Sequence, residues 1–189
     1  INVIRSFPFL LLVVFLIPLV LAFVGLGLRY LAHVWAGGDG GFEAFATGQC
    51  RWDCSWYIGI AERGYDGFPV PDRNNVGNWA FFPLYPVAVG IIQPLLPFTT
   101  IVVATVGSTL VTIAACLVAW PLLDRNIRAY LLFSAFVLAG SFSVYFSTFL
   151  TEPLFLLLTC AVLLALKQRA YFSAGILSAA LSATRIVGV

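Results

Sequence analysis

Three ionisable residues stand among neighbours that usually exclude charge. Asp53 lies in the run "GQCRWDCSWYIGIAERGYDG" (48–67) with Trp52, Trp56 and Tyr57 around it. Glu152 lies between Thr151 and Pro153, and Arg185 lies in an apolar stretch rich in small residues. The W-x3-W-x3-I spacing predicts a helix over 51–63. At about 100° per residue, Arg51, Ser55, Gly59 and Glu62 then share one face. Trp52, Trp56 and Ile60 form the other, with Asp53 and Tyr57 beside them. A carboxylate held towards an apolar face is costly unless it has a partner or a task. Asp53 therefore either pairs with Arg51 or Arg63, caps a turn, or does chemistry. Arg185, expected deep in an apolar helix, costs about 2.5–3.5 kcal/mol on insertion scales. Its chemical use is to clamp an anionic phosphate, which a guanidinium matches bidentately. Its structural alternative is snorkelling to an interface. Glu152 suits the positive end of a helix dipole, with Thr151 as cap and Pro153 in the first turn. The alternative places it in one site with Asp53.

The elements that carry these residues are those of a membrane protein. The chain is 61% hydrophobic with a mean hydropathy of +1.01, against roughly 45–50% apolar residues in soluble domains. A net charge of +2 gives no basis for nucleic-acid binding. The four cysteines and the single His33 fit neither a zinc nor a disulfide framework. Cys50 and Cys54 read as neighbours on one helix turn, and Cys116 and Cys160 as lipid-face or core residues. No metal and no cofactor are expected. The chain starts at Ile1, lacks Met and stops at Val189 inside an apolar run, as expected of a fragment.

Residues 1–31 hold a first transmembrane helix: Phe7 to Leu28 is uncharged over about 22 residues, and about 20 suffice to span. Residues 32–79 read as a polar loop carrying an amphipathic interfacial helix. Its glycines at 37–41 predict a flexible linker rather than a phosphate loop, since no Gly-Lys-Ser/Thr follows. Residues 80–98 carry Pro83, Pro86, Pro94 and Pro97 and predict a broken, interfacial or re-entrant segment. Residues 99–189 predict further transmembrane helices: Thr99 to Leu123, Ala129 to Phe149, Pro153 to Leu166 with residues recruited from Phe149 on, and Tyr171 to Val189. In the last of these, Gly175, Ala179 and Ala183 form a stripe for close helix approach. Asp39, Glu43, Asp66, Asp72 and Arg73 read as loop polarity, and Tyr145 and Tyr171 as interface anchors.

If 80–98 does not cross, Arg5, Arg125, Arg128, Lys167 and Arg169 all fall on the cytoplasmic side, as basic residues prefer. Asp53, Glu152 and Arg185 then share the exoplasmic side.

Four segments, "RWDCSWYIGIAERGY" (51–65), "FFPLYP" (81–86), "TEPLF" (151–155) and "ATR" (183–185), resemble in order and spacing those of the PIG-V-like mannosyltransferases. These are multi-spanning glycosyltransferases of the GT-C type. The resemblance covers nearly the whole chain, which looks like the N-terminal part of such an enzyme. It implies an all-α, polytopic membrane helix bundle in a bacterial plasma membrane or the endoplasmic reticulum. It further implies transfer of a sugar, mannose by analogy, from a polyprenyl- or dolichol-phosphate donor to a glycolipid or glycan hydroxyl. By the same resemblance Asp53 is the general base, acting with inversion at the anomeric carbon. Arg185 is then the candidate to stabilise the leaving lipid phosphate. Arg51, Tyr57 and Tyr65 position sugar or phosphate, Trp52 and Trp56 stack on sugar or anchor their helix, and Phe82 and Tyr85 shape lipid entry. Glu152 joins them as a substrate-binding residue. A different class, a transporter or lipid translocator using Glu152 and Arg185, is the alternative.

Overall fold

The computed structural model describes residues 2–69 and 74–185. Asp72, Arg73 and residues 186–189 lie outside the described residues, as does the side chain of Arg5. The described residues are all-helical, in the order α1 (Asn2–Trp35), α2 (Phe42–Gln49), α3 (Cys54–Arg63), α4 (Leu84–Ile92), α5 (Thr100–Leu122), α6 (Ile127–Ala139), α7 (Glu152–Lys167) and α8 (Tyr171–Ser182). Two of them are long and apolar enough to cross a membrane: α1 over Leu12–Trp35, and α5. At roughly 1.5 Å per residue, the 23 residues of α5 reach about 35 Å.

α5 is the central strut. It packs along α7, which packs along α8, while α1 packs along α6. Two glycines set the closest approaches. A Cβ at Gly25 would lie 2.0 Å from the Leu138 carbonyl oxygen, where α1 crosses the end of α6. A Cβ at Gly90 would lie 2.4 Å from the Ala61 carbonyl oxygen, where α4 crosses α3. In both cases the obstacle is backbone, which cannot swing aside. Gly25→Ala is therefore expected to cost about 1–3 kcal/mol by overpacking, outweighing the roughly 1 kcal/mol that alanine gains in helix propensity. Gly27→Ala, with nothing within 4 Å of its Cβ, is the control and gains about 0.5–1 kcal/mol. Thermal unfolding of the two variants in detergent compares them directly; equal midpoints would remove the steric argument. A second tie between α1 and α6 is buried: the Tyr130 hydroxyl donates to the Val14 carbonyl at 2.9 Å.

Several elements differ from the sequence expectation. The stretch expected to cross from Ala129 to Phe149 stops at Ala139. A 3-10 turn at Ser143–Phe146 and irregular backbone up to Thr151 follow. Hydroxyls on α5 absorb the carbonyls thus set free: Ser108 Oγ donates to Thr148 O and Thr112 Oγ1 to Phe146 O, both at 2.6 Å. Irregular backbone is tolerated inside an apolar bundle only when protein groups satisfy it in this way. The last helix ends at Ser182, so Arg185 lies beyond a helix end rather than inside one. The stripe Gly175–Ala179 faces outward, and Ala174 is the buried residue of α8. The glycine segment after α1 is a hydrogen-bonded turn, with Gly37 N bonded to Val34 O and Gly38 N to His33 O.

Residues 80–98 comprise a nine-residue α4 between short 3-10 turns at Asn78–Ala80 and Gln93–Leu95. Asp66, expected to be solvated, is tied into the loop after α3. Its backbone N–H donates to Asn78 Oδ1 (2.9 Å), and its carboxylate accepts from Asn78 N (3.0 Å).

The two ends of the bundle carry different chemistry. Lys167, at the end of α7, meets Asp124 and the Pro121 carbonyl. That end also holds Arg125 and Arg169 in its connections and Arg128 in the first turn of α6. The opposite end holds the start of α5, where Thr100 Oγ1 donates to Glu62 of α3 at 2.8 Å. It also holds the start of α7 and the residues beyond α8.

Candidate functional site

Asp53, expected inside a helix, precedes one. Trp52 has φ of 53°, a left-handed turn conformation, and Asp53 occupies the N-cap position of α3 with no side-chain cap bond. A Cys50–Cys54 disulfide closes the turn, contrary to the reading that the cysteines carry no disulfide. The sequence signal was the i, i+4 spacing itself, which brings the two thiols within reach only because the chain turns between them. The helical face drawn over 51–63 therefore starts three residues late. Tyr57 and Ile60 are buried, while Arg51, Trp52 and Asp53 are exposed. The expectation of a buried anion is corrected by this exposure. The bland alternatives for Asp53 are not seen either: among the described residues its carboxylate forms no ion pair and no hydrogen bond.

Tyr57 is the hub. Burial pushes its phenol up from the usual tyrosine range. The Thr151 hydroxyl opposes that rise, the nearby negative charges of Asp53 and Glu152 add to it, and Arg185 opposes it. The hub thus reports four neighbours from three distant parts of the chain. Glu152, the first residue of α7, accepts from Arg185 Nη1 at 2.6 Å. Arg185 is 41% and Glu152 26% exposed at the side chain, so the pair is wet. Leu84 N, at the start of α4, donates to the Ala183 carbonyl at 3.1 Å. The end of α8 is thereby fastened to the proline-bearing segment.

Aromatic contacts frame the cluster. Trp52 stacks on Tyr145 with centroids 4.9 Å apart and planes at 21°, so Tyr145 is a neighbour of the turn and not merely an anchor. Trp56 stacks on Phe81 (5.6 Å), and Tyr57 meets Phe81 edge-on (5.4 Å). Tyr65 donates its hydroxyl to the Phe81 carbonyl at 2.6 Å. Tyr85 is buried, packs edge-on against Phe149 (5.5 Å) and shares a hydrogen bond with Ser108 Oγ (2.5 Å). Phe82 is partly buried. Beside Tyr85 and Leu154 lies an apolar cleft of about 560 Å³ between α4, α5 and α7.

The structure thus brings Asp53, Tyr57, Glu152 and Arg185 together with Trp52, Trp56 and Phe81 around them. Tyr65 and Tyr85 act from the margins, and Arg51 stays on the surface. Sequence reasoning missed Thr151, Tyr145, Phe81 and the disulfide as parts of the site. Thr151 and Phe81 had a signal as members of the quoted segments, the disulfide had one in its cysteine spacing, and Tyr145 had none. Among the described residues, no three His, Cys, Asp or Glu side chains are grouped to hold a metal ion.

The disulfide is expected to hold the Trp52–Asp53 turn in place. Closing so small a loop is worth about 2 kcal/mol by chain entropy. Replacing both cysteines by serine should lower the unfolding temperature accordingly. In denatured protein, a maleimide reagent should label Cys116 and Cys160 before reduction and all four cysteines after it. Four labels without reductant would show that the bridge does not form. No family model, no curated protein and no solved structure matches this chain.

Proposed function

We propose that this chain is the catalytic part of a multi-spanning membrane glycosyltransferase of the PIG-V-like, GT-C type. One observation carries the reading. The four segments on which the resemblance rests lie up to 134 positions apart in the sequence (from Arg51 to Arg185), yet they meet in one cluster at one end of the bundle. Asp53 and Tyr57 come from the first, Phe81 and Leu84 from the second, Thr151 and Glu152 from the third, and Ala183 and Arg185 from the fourth.

In this reading an acceptor hydroxyl attacks the anomeric carbon of a polyprenyl- or dolichol-phosphate sugar. Asp53, exposed and uncommitted, takes the hydroxyl proton as the new C–O bond forms. The bond to the lipid phosphate breaks on the opposite face, which inverts the anomeric configuration. Glu152 engages one guanidinium nitrogen of Arg185. The remaining N–H donors face the leaving phosphate and stabilise its charge. The cleft beside Tyr85 takes the lipid portion of the donor. The Trp52–Tyr145 stack offers a flat aromatic wall for a sugar face.

Charge and redox chemistry support the assignment of the membrane side in this reading. The end with Lys167, Arg125, Arg128 and Arg169 is cytoplasmic by the positive-inside rule. The Cys50–Cys54 bridge belongs on the oxidising, exoplasmic side. Outward-facing Phe23, Leu110, Leu132, Phe136 and Phe172 are exposed, which supports lipid contact around several helices.

The test is an assay of the full-length protein in membranes with labelled polyprenyl-phosphate mannose and other polyprenyl-phosphate sugars. A labelled glycolipid or glycan identifies donor and acceptor together. Lack of transfer from every such donor would overturn the reading. Lipid or ion movement dependent on Glu152 and Arg185 would then replace it with a translocator.

A further inference from the structure

Arg29 lies near the site end of α1 and takes no part in the proposed chemistry. Its Nε donates to the Gly25 carbonyl at 3.2 Å, but both terminal nitrogens are sealed from solvent with no hydrogen-bond partner among the described residues. The guanidinium is permanently charged and presents its donors in a fixed fork. Enclosing it without an anion is among the costliest arrangements for a membrane protein. Arg63, Lys167 and Arg185 each meet a carboxylate. The end of α6 passes one turn away, at Gly25, and its negative pole attracts a cation, yet none of its carbonyls accepts from Arg29.

Two neighbouring features indicate what completes the pair. An apolar cavity of about 160 Å³ runs between α1 and α5, lined by Leu19, Ala22, Phe23 and Leu26 with Thr105 and Thr109. Ala22 and Leu26 precede Arg29 by seven and three residues, which places them within about 60° of it around the helix. On α1 the cavity lining ends at Leu26, about one turn short of Arg29 and on the same side of the helix. A second unsatisfied buried atom, Gln49 Oε1, sits one turn along α2 from Phe45, which packs on Tyr30 and His33 of α1. It is an acceptor left open for a hydroxyl.

We infer that Arg29 and the groove below it bind an anionic phospholipid, with the headgroup phosphate on the guanidinium and an acyl chain along Leu19–Leu26. Charge complementarity selects the anion, and the apolar groove selects a lipid over a free ion. The inference is independent of the sugar-transfer reading.

The test uses full-length protein stripped of lipid in a maltoside detergent, which carries no phosphate. Phosphatidylglycerol is titrated while thermal unfolding and lipid retention in native mass spectrometry are followed. The wild type is expected to retain the lipid and to unfold several degrees higher with it. Arg29→Gln should bind at least about tenfold more weakly, a single lost charge-assisted contact. Without lipid it should be no less stable than the wild type, because an uncompensated buried charge has gone. Leu26→Trp, which fills the groove and leaves the guanidinium, should also lose retention. Equal lipid response in Arg29→Gln would overturn the inference. So would the full stabilisation from inorganic phosphate alone, which needs no groove. Destabilisation of Arg29→Gln without lipid would show that the protein itself holds the guanidinium, and would equally overturn it.

Discussion

Asp53→Asn in the full-length protein is expected to lower sugar transfer by about 10²- to 10⁴-fold, the usual worth of a positioned general base. The loss should fall on kcat, because the amide keeps the size and polarity of the side chain but cannot take the proton. Folding should be unchanged. Among the described residues the Asp53 carboxylate makes no ion pair and caps no helix, so no contact is lost. This combination separates chemistry from structure: a stable, donor-binding, inactive variant. Asp53→Glu, which keeps the carboxylate and moves it by one methylene, should recover part of the activity. Steady-state transfer from labelled polyprenyl-phosphate mannose, set beside thermal unfolding, decides the matter. Full activity in Asp53→Asn would remove the base assignment, whatever the fate of the family resemblance.

The second large effect concerns Glu152 and Arg185. Arg185→Gln is expected to reduce transfer by about 10²- to 10³-fold, the scale measured for single donors that stabilise transition-state charge. Its effect on stability should be small. The pair is 41% and 26% exposed at the side chains, so its worth lies nearer the roughly 0–1 kcal/mol of exposed pairs than the 3–5 kcal/mol of breaking sealed ones. The exchanged double variant, Glu152→Arg with Arg185→Glu, distinguishes the two roles. It restores the ion pair but moves the guanidinium to the start of α7. Stability should return and transfer should not. Recovery of transfer in the exchanged protein would mean that only the pairing matters, and the phosphate role would fall.

The helical, apolar nature of the chain was legible because hydrophobicity is summed over many residues and local errors cancel. The span of α5 could be read almost to the residue for that reason. The break at Gly140 was not legible, since Ala129 to Phe149 carries no charge and no proline and its small Gly, Ser and Thr residues also occur inside membrane helices. What ends α6 is a set of hydroxyl partners on α5, and no window along α6 contains them. The turn at Trp52 failed differently. Trp52, Trp56 and Ile60 at helical spacing look like helix from Arg51 on, but the Cys50–Cys54 bridge and the left-handed φ of Trp52 override that periodicity at its start. The site residues were readable as types in unlikely places, an aspartate among aromatics and an arginine among aliphatics. Their burial was not, because burial depends on which elements surround the turn. The small-residue stripe of α8 shows the same limit: spacing fixes which residues share a face, and the neighbouring helix fixes which face is used.

On the multi-spanning reading proposed above, the hydroxyls of Ser108 and Thr112 also constrain biogenesis. At about 20 Å for its 13 residues, α6 is too short to be threaded through a bilayer as an independent unit, and the bare carbonyls after it would resist entry into lipid. α5 precedes them in the chain and carries the donors they need. Insertion should therefore proceed by α5 lodging first and α6 with α7 entering as a hairpin against it, so that polar α5 side chains act as an intramolecular chaperone during synthesis.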